Sequence, residues 1–154
     1  MRVAGAEAIR IVRVEAPGPG ALPRGLLSSA EAVHRQLRPH LDTDYASQMA
    51  RILAGGAGMI VALAGDRVLG VAVFRVFENT HAGRRFYVDD LVTDGDARST
   101  GVGAAMMRWL EEQARARGCS SVELESGSQR TRAHRFYFRE GFLITGFGFK
   151  KALQ

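Results

Sequence analysis

The sequence predicts a single α/β (α+β) domain built on a mixed β-sheet with helices on both faces. Three observations carry that reading. Between residues 58 and 93, three strand-patterned runs follow one another across short turns, which implies an antiparallel meander. From residue 84 to 126 the pattern then runs strand, helix, strand, which implies a parallel crossover. Helical stretches before and after the meander supply the cover that both sheet faces need.

The elements justify themselves in order. AIRIVRV (8–14) alternates enough to be a strand, and PGPGALPRG (17–25) cannot continue any regular element. Ser28 or Ser29 fits the start of a helix running to about Arg38, stopped by Pro39. Asp42 or Thr43 can cap a second helix in TDYASQMARILAGG, which ends in glycines. GMIVALA (58–64) and RVLGVAVFRVFE (67–78) flank the two-residue turn Gly65-Asp66 and read as a hairpin. The loop ENTHAG leads into RRFYVDDLVT (84–93), a strand rich in aromatic and β-branched residues.

From about Gly101 to Arg117, Val102, Ala105, Met106, Trp109 and Leu110 follow helical spacing. Arg108–Glu112 and Glu111–Arg115 can pair on its outer face, and Gly118 ends it. SSVELES (120–126) alternates as a strand, and TRAHRFYFRE (131–140) is a short helix ended by Gly141. FLITGFGFKKAL reads as a last strand, with Leu143, Thr145, Phe147 and Phe149 on one face. The predicted order is β α α β β β α β α β.

A chain of 154 residues is most simply one domain, and no apolar run approaches the roughly 20 residues of a membrane-spanning helix. The N-terminal MRVAGAEAIRIVRVEA has arginines among its apolar residues, unlike a secretory leader. A lone cysteine, Cys119, rules out an internal disulfide framework, fits a reducing compartment and reads as a core residue. A cytoplasmic protein is expected, with no membrane partner. His34, His40, His81 and His134 are scattered, so no metal site is expected. The net charge of +5 comes almost entirely from arginine; lysine occurs only at Lys150 and Lys151. The arginines form no dense basic block, and no recognition-helix pattern is present, which argues against nucleic acid.

The most informative stretch is ARSTGVGAA (97–105), where two glycines open a helix just after an arginine. The first turn of a helix has unpaired N–H groups and the positive end of the helix dipole, and glycine lets an anion approach them closely. Arg98, Ser99 and Thr100 can add donors. The alternative is that Gly101 and Gly103 only make a tight turn. A dinucleotide fold competes too, since Gly101-Val-Gly103 resembles its first two glycines and Glu123 lies about 20 residues on. Met106 in the third small position, the DGDARST spacer after Thr93 and the antiparallel meander upstream oppose it.

DDLVTDGDARSTGVGAAMMRWLEEQARARGCSSVELES, followed by AHRFYFREGF, resembles the GNAT superfamily of acetyl-CoA-dependent N-acetyltransferases. The acyl-CoA signature Arg/Gln-x-x-Gly-x-Gly/Ala is matched by Arg98-Ser-Thr-Gly101-Val-Gly103. A second motif, Ala-x-x-Phe-Tyr-x-x-x-Gly-Phe, is matched by Ala133 to Phe142 without a gap. The resemblance covers roughly residues 58 to 150, with an acyl-CoA-binding core at about 84–142. Many members carry Asn three residues before the alanine, where this chain has Arg130. ELESGSQRTRAHRFYFREGF is also similar to the matching stretch of bacterial aminoalkylphosphonate N-acetyltransferases.

The resemblance implies acetyl-CoA as co-substrate and acetyl transfer to an amine. The backbone of Arg98, Ser99, Thr100, Gly101, Val102, Gly103 and Ala104 would hold the pyrophosphate. Leu91, Val92 and Thr93 would bond the pantetheine arm where their strand splays from SSVELES, and Arg135 joins the cofactor-binding set. Tyr137 sits where the family places the acid that protonates the departing thiolate. For the base, Asp89 and Asp90 are the leading candidates: two adjacent carboxylates are unusual in an apolar strand, and alternation would point one into a cleft while the other pairs, for instance with Arg84 or Arg85. The alternative is that both are structural. Glu78 and His81 on the neighbouring loop come next, as substrate contacts, with His81 reading first as an exposed loop histidine.

The leading expectation is an N-acetyltransferase acting on a primary amine of a small molecule by direct attack in a ternary complex. A protein lysine or N-terminal acetyltransferase keeps the same chemistry, and a non-catalytic acyl-CoA-binding module is the third reading. The final Phe-Gly-Phe strand could pair across a homodimer.

Overall fold

The computed structural model describes residues 7–14 and 24–154. Backbone contacts gather the chain into two compact units, Met1–Glu123 and Leu124–Gln154.

The first unit holds strand β1 (Arg10–Val14), helices α1 (Arg24–Leu37) and α2 (Tyr45–Ala54), then the meander β2 (Ala57–Ala64), β3 (Arg67–Asn79) and β4 (Gly83–Thr93). A 3-10 turn (Gly95–Ala97) leads into helix α3 (Val102–Ala116), and β5 (Val122–Leu124) follows. The sheet order is β1-β2-β3-β4-β5. β1 to β4 are antiparallel neighbours, and β5 lies parallel to β4, so the sheet is mixed as predicted.

Residues of β3 point alternately to two helical layers. Val71 and Val73 join Ala30 and Val33 of α1, Tyr45 and Met49 of α2, and Met59 and Val61 of β2 in one buried cluster. On the opposite face, Phe74 stacks on Phe86 and meets Trp109 of α3 edge-on, with centroids 5.9 Å apart. At Gly70 an added Cβ would lie 2.6 Å from Met106 Cε, so glycine is what lets α3 approach the sheet. Cys119 is buried, in keeping with its core reading.

Several boundaries differ from expectation. Helix α1 starts at Arg24, earlier than Ser28, and Ser29 Oγ donates back to the carbonyl of Gly25 over 3.1 Å. Burial of Leu26 and Leu27 against the cluster offsets the backbone entropy that Gly25 loses in the first turn. Residues 17–23 of the expected break lie outside the described residues. Asp44, rather than Asp42 or Thr43, caps α2 by accepting from the Ser47 amide. Asp42 is engaged elsewhere: its carboxylate accepts the Asp44 amide and its carbonyl accepts from Arg35. Strand β5 keeps only three residues of the expected seven-residue run.

The second unit contains helix α4 (Thr131–Arg139). Tyr137 of α4 meets Phe136 and, just past the helix, Phe142 edge-on. The predicted last strand is absent: residues 142–154 belong to none of the strands. Alternating apolar residues write a strand face, but a strand also needs a neighbour to bond its backbone, and this segment has none among the described residues.

Candidate active site

The site begins at an irregularity in β4. Val73 pairs with Asp90 and Phe74 with Val88, so Asp89 is an extra residue on β4, a bulge. The bulge cancels the simple alternation expected of the two aspartates. Asp90 lies opposite Val73, and Asp89 reaches Arg75, which shares that face of β3. Both carboxylates therefore serve one face of the sheet.

Each has different partners from those expected. Arg75 grips Asp89 through two bonds, of 2.6 and 2.8 Å. Asp90 accepts from Arg38 Nε at 2.7 Å and meets His34 Nε2 at 2.8 Å. His34 Nδ1 lies 3.0 Å from the hydroxyl of Tyr45, so a Tyr45–His34–Asp90–Arg38 chain ties both N-terminal helices to the bulge. His34 is 1% exposed. Burial pushes the Asp90 carboxyl up, but the bonds from His34 and Arg38 outweigh it and hold the group below the usual aspartate value. The Tyr45 hydroxyl is pushed up by burial, with the charges of Glu31 and Asp90 adding to it. Arg85, one proposed partner of the aspartates, instead binds Glu123 on β5 at 2.6 Å and stacks over Tyr87.

Beyond the bulge, Leu91, Val92 and Thr93 pair with Ala72, Val71 and Gly70. A three-residue β5 cannot accompany an eleven-residue β4 along its length, so part of that edge of β4 goes without β5 as a partner. The turn after β4 is firmly held. Asp94 accepts from Gln36 at 3.1 Å and from Arg67 at 2.9 Å, and Gln36 in turn accepts the Gly95 amide. Those bonds, Gln36 first, keep the Asp94 carboxyl below its usual range.

The glycine loop follows from this anchor. Ser99 has φ +62°, a left-handed conformation rare outside glycine, and Gly101 has φ +87° at the N-cap of α3. No side chain caps the helix, and its first internal bond is from the Ala105 amide to Gly101. The amides of Val102, Gly103 and Ala104 thus lack intrahelical partners. Thr100 spends its hydroxyl on the Ala97 carbonyl. Arg98 is exposed and has no ion-pair partner among the described residues. An exposed arginine, three free amides and a helix N-terminus form a donor set fitted to a phosphate group.

Tyr137 and Arg135 lie on α4 in the second unit. Burial raises the Tyr137 pKa, with the Arg130 charge partly opposing it, so the hydroxyl keeps its proton at neutral pH. Glu78 and His81, near the far end of β3 and in the turn after it, are both exposed. No group of His, Cys, Asp or Glu suited to a metal occurs among the described residues. No helix among them is long and apolar enough to cross a membrane.

Sequence reasoning missed His34, Arg38, Tyr45, Arg75 and Gln36. Their partners lie 11 to 59 positions away, and spacing on one helix or strand carries no signal for such pairs. A histidine on the apolar stripe of α1 was the one available hint.

Residues 26–142 match the acetyltransferase (GNAT) family. The chain is 35% identical over 94 residues to an aminoalkylphosphonate N-acetyltransferase of Salmonella typhimurium, a match covering 60% of this chain and 61% of that one. It is 35% identical to an uncharacterized N-acetyltransferase, YhdJ, of Bacillus subtilis, over 75% of this chain and 84% of the relative. Among solved structures, an aminoglycoside N-acetyltransferase in complex with CoA superposes with a TM-score of 0.81 over 99% of both chains, at 13% identity, which speaks to the fold alone. Fold, glycine loop and the extent of these matches agree: this chain belongs to the acetyltransferase (GNAT) family.

Proposed function

We propose that the protein transfers the acetyl group of acetyl-CoA to a primary amine of a small molecule, by direct attack in a ternary complex. The observation that carries this reading is the unpartnered donor set of the glycine loop: Arg98 and the amides of Val102, Gly103 and Ala104. Arg98 through Ala104 would hold the pyrophosphate, and the open edge of β4 at Leu91, Val92 and Thr93 would bond the pantetheine arm. Arg135 would join the cofactor contacts. Acetyl-CoA supplies the thioester carbonyl that the amine attacks, so that a C–N bond forms as the C–S bond breaks. The whole chain, 1–154, would act as one acetyltransferase domain with its acyl-CoA core at 84–142; the family match runs through both units.

An amine must lose a proton to react, because alkylammonium groups have a pKa near about 10.4. Asp89 takes that proton through water. It is the more open of the two bulge carboxylates, at 25% side-chain exposure against 13% for Asp90. Asp90, bound by His34 and Arg38, sets the shape of the bulge beside it. Tyr137 returns a proton to the departing thiolate; burial keeps its hydroxyl protonated until the thiolate appears. Glu78 and His81 would meet the acceptor. An amine bearing a phosphonate or another anionic group is the favoured acceptor, supported by the named Salmonella relative and by the net charge of +5. The lone cysteine supports a cytoplasmic setting.

The test is thiol release from acetyl-CoA across a panel of aminoalkylphosphonates, amino sugars, aminoglycosides and lysine peptides. Turnover of a small amine, with Tyr137→Phe lowering kcat by about 10² while leaving acetyl-CoA affinity unchanged, is expected. Turnover confined to peptides would move the acceptor to protein. Acetyl-CoA binding without turnover of any amine would leave an acyl-CoA-binding module.

A further inference from the structure

We infer that Arg75 and Arg85 set the choice of acceptor: they hold the acidic end of a small zwitterion, an amine carrying its own phosphonate or carboxylate group, on the open face of β3 and β4. This rests on the reading of Asp89 as the group that meets the acceptor amine. Register places Arg75 opposite Tyr87 and Phe77 opposite Arg85, so these four side chains share one face. It is the face of Val73, and therefore the one that the bulge carboxylates serve. Val71 and Val73 are buried there, but further along the strand the Arg75 side chain is 52% exposed and Phe77 38%.

Both guanidinium groups are fixed, and both keep free donors. Arg75 is held through Nε and Nη2 by Asp89, and Arg85 through Nε and Nη2 by Glu123. Arg85 also lies over the rings of Tyr87 and Phe77, with centroids 4.8 and 5.8 Å from its Cζ. Nη1 of each arginine has no protein partner among the described residues. A guanidinium already pinned by a carboxylate loses little freedom when a ligand takes its other edge. Arg75 and Arg85 are diagonal neighbours across the two strands, a spacing of roughly 7–8 Å, so two long side chains can reach one anion between them.

Charge decides what kind of amine fits. Asp90 is paired with Arg38, Asp89 with Arg75 and Glu123 with Arg85: three carboxylates and three arginines. A polycation needs carboxylates in surplus, and here each already has its counter-charge, so further ammonium groups would be desolvated without partners. An acid without an amine has nothing to place at Asp89. A zwitterion matches both signs. Its ammonium lies beside the Asp89 carboxylate, which is 25% exposed, its acid takes the Nη1 donors, and its carbon chain lies on Phe77. Asp89 and Arg75 are bonded to each other at 2.6 Å, so the two ends of the acceptor stand close together and the chain between them is short.

The test is kcat/KM for aminoethylphosphonate, β-alanine, propylamine and spermidine with the wild type, Arg85→Met and Arg85→Lys, joined to calorimetric binding of aminoethylphosphonate. Arg85 is changed rather than Arg75 because it bonds to neither aspartate of the bulge. The wild type should prefer both zwitterions to propylamine by at least about 30-fold and turn over spermidine least. Arg85→Met should shrink that preference by about tenfold or more, through KM rather than kcat, and Arg85→Lys, which restores the charge, should recover part of it. An equal fall for zwitterions and propylamine in Arg85→Met would mark the arginine as structural and overturn the inference. So would propylamine or spermidine turned over as well as the zwitterions, an outcome that leaves acetyl transfer standing. If no amine turns over, calorimetry decides. Zwitterion binding that Arg85→Met weakens about tenfold would support the anion site while acetyl transfer fails, and no zwitterion binding at millimolar concentration would overturn both.

Discussion

Two neighbouring stretches of the first unit treat their polar groups in opposite ways. At the bulge of β4, every carboxylate oxygen of Asp89 and Asp90 has a donor from Arg75, Arg38 or His34. In the loop that opens α3, Arg98 and three backbone amides have no protein partner among the described residues. The bulge carboxylates are satisfied by protein groups alone; the loop presents donors that no protein group takes up among the described residues. Free donors backed by a strained Ser99 and a left-handed Gly101 are what the proposed anion site rests on, whereas the Asp90 carboxylate ties α1 to the sheet and Asp89 ties β4 to β3.

If that contrast is right, breaking the bulge network should cost stability first. His34→Ala removes the bond to Asp90 and orphans the Tyr45 hydroxyl, and should lower the unfolding free energy by about 3 kcal/mol in urea. Its effect on acetyl-CoA affinity should be less than about threefold. A large loss of affinity with no loss of stability would erase the distinction between the two stretches.

The pH dependence sharpens the same point. Folding lowers the Asp90 pKa, so the unfolded chain binds more protons and the contribution is fully present above the ordinary aspartate value of about 3.9. It fades as pH falls through the lower folded value. Asp90→Asn should therefore be less stable than wild type by about 2 kcal/mol at neutral pH, and the gap should close as pH drops below about 4, measured by thermal unfolding across pH. A gap that widened on acidification would contradict the network described.

How legible this was follows from how far apart the partners lie. The loop reads directly from Arg98-Ser-Thr-Gly101-Val-Gly103, because helix initiation and close backbone approach are local properties. The meander and crossover are legible for the same reason, through period and turn chemistry. The His34–Asp90 bond spans 56 positions, and the bulge that turns both aspartates to one face has no local glycine to announce it. The missing last strand is a different failure. Alternation in FLITGFGFKKAL is real, but pattern records which face is apolar and not whether a neighbour is present to pair.

Smaller effects should separate binding from chemistry. Arg98→Ala should weaken acetyl-CoA by about tenfold, with the difference shrinking at high salt and the melting temperature unchanged, because the side chain is exposed and unpaired. Asp89→Asn should change stability by less than about 1 kcal/mol, since Arg75 is half exposed, yet should lower kcat, which the Asp90 network alone would not explain.

The most direct measurement is calorimetric titration of acetyl-CoA into the wild type and a Gly103→Glu variant. Gly103 opens the first turn of α3, where a carboxylate would occupy the anion's place and repel it. Saturable binding in the wild type, weakened at least about 100-fold in the variant while its melting temperature holds, is the result predicted. Equal affinity in the two proteins, or no binding to either at millimolar acetyl-CoA, would contradict the assignment of the glycine loop as the cofactor cradle.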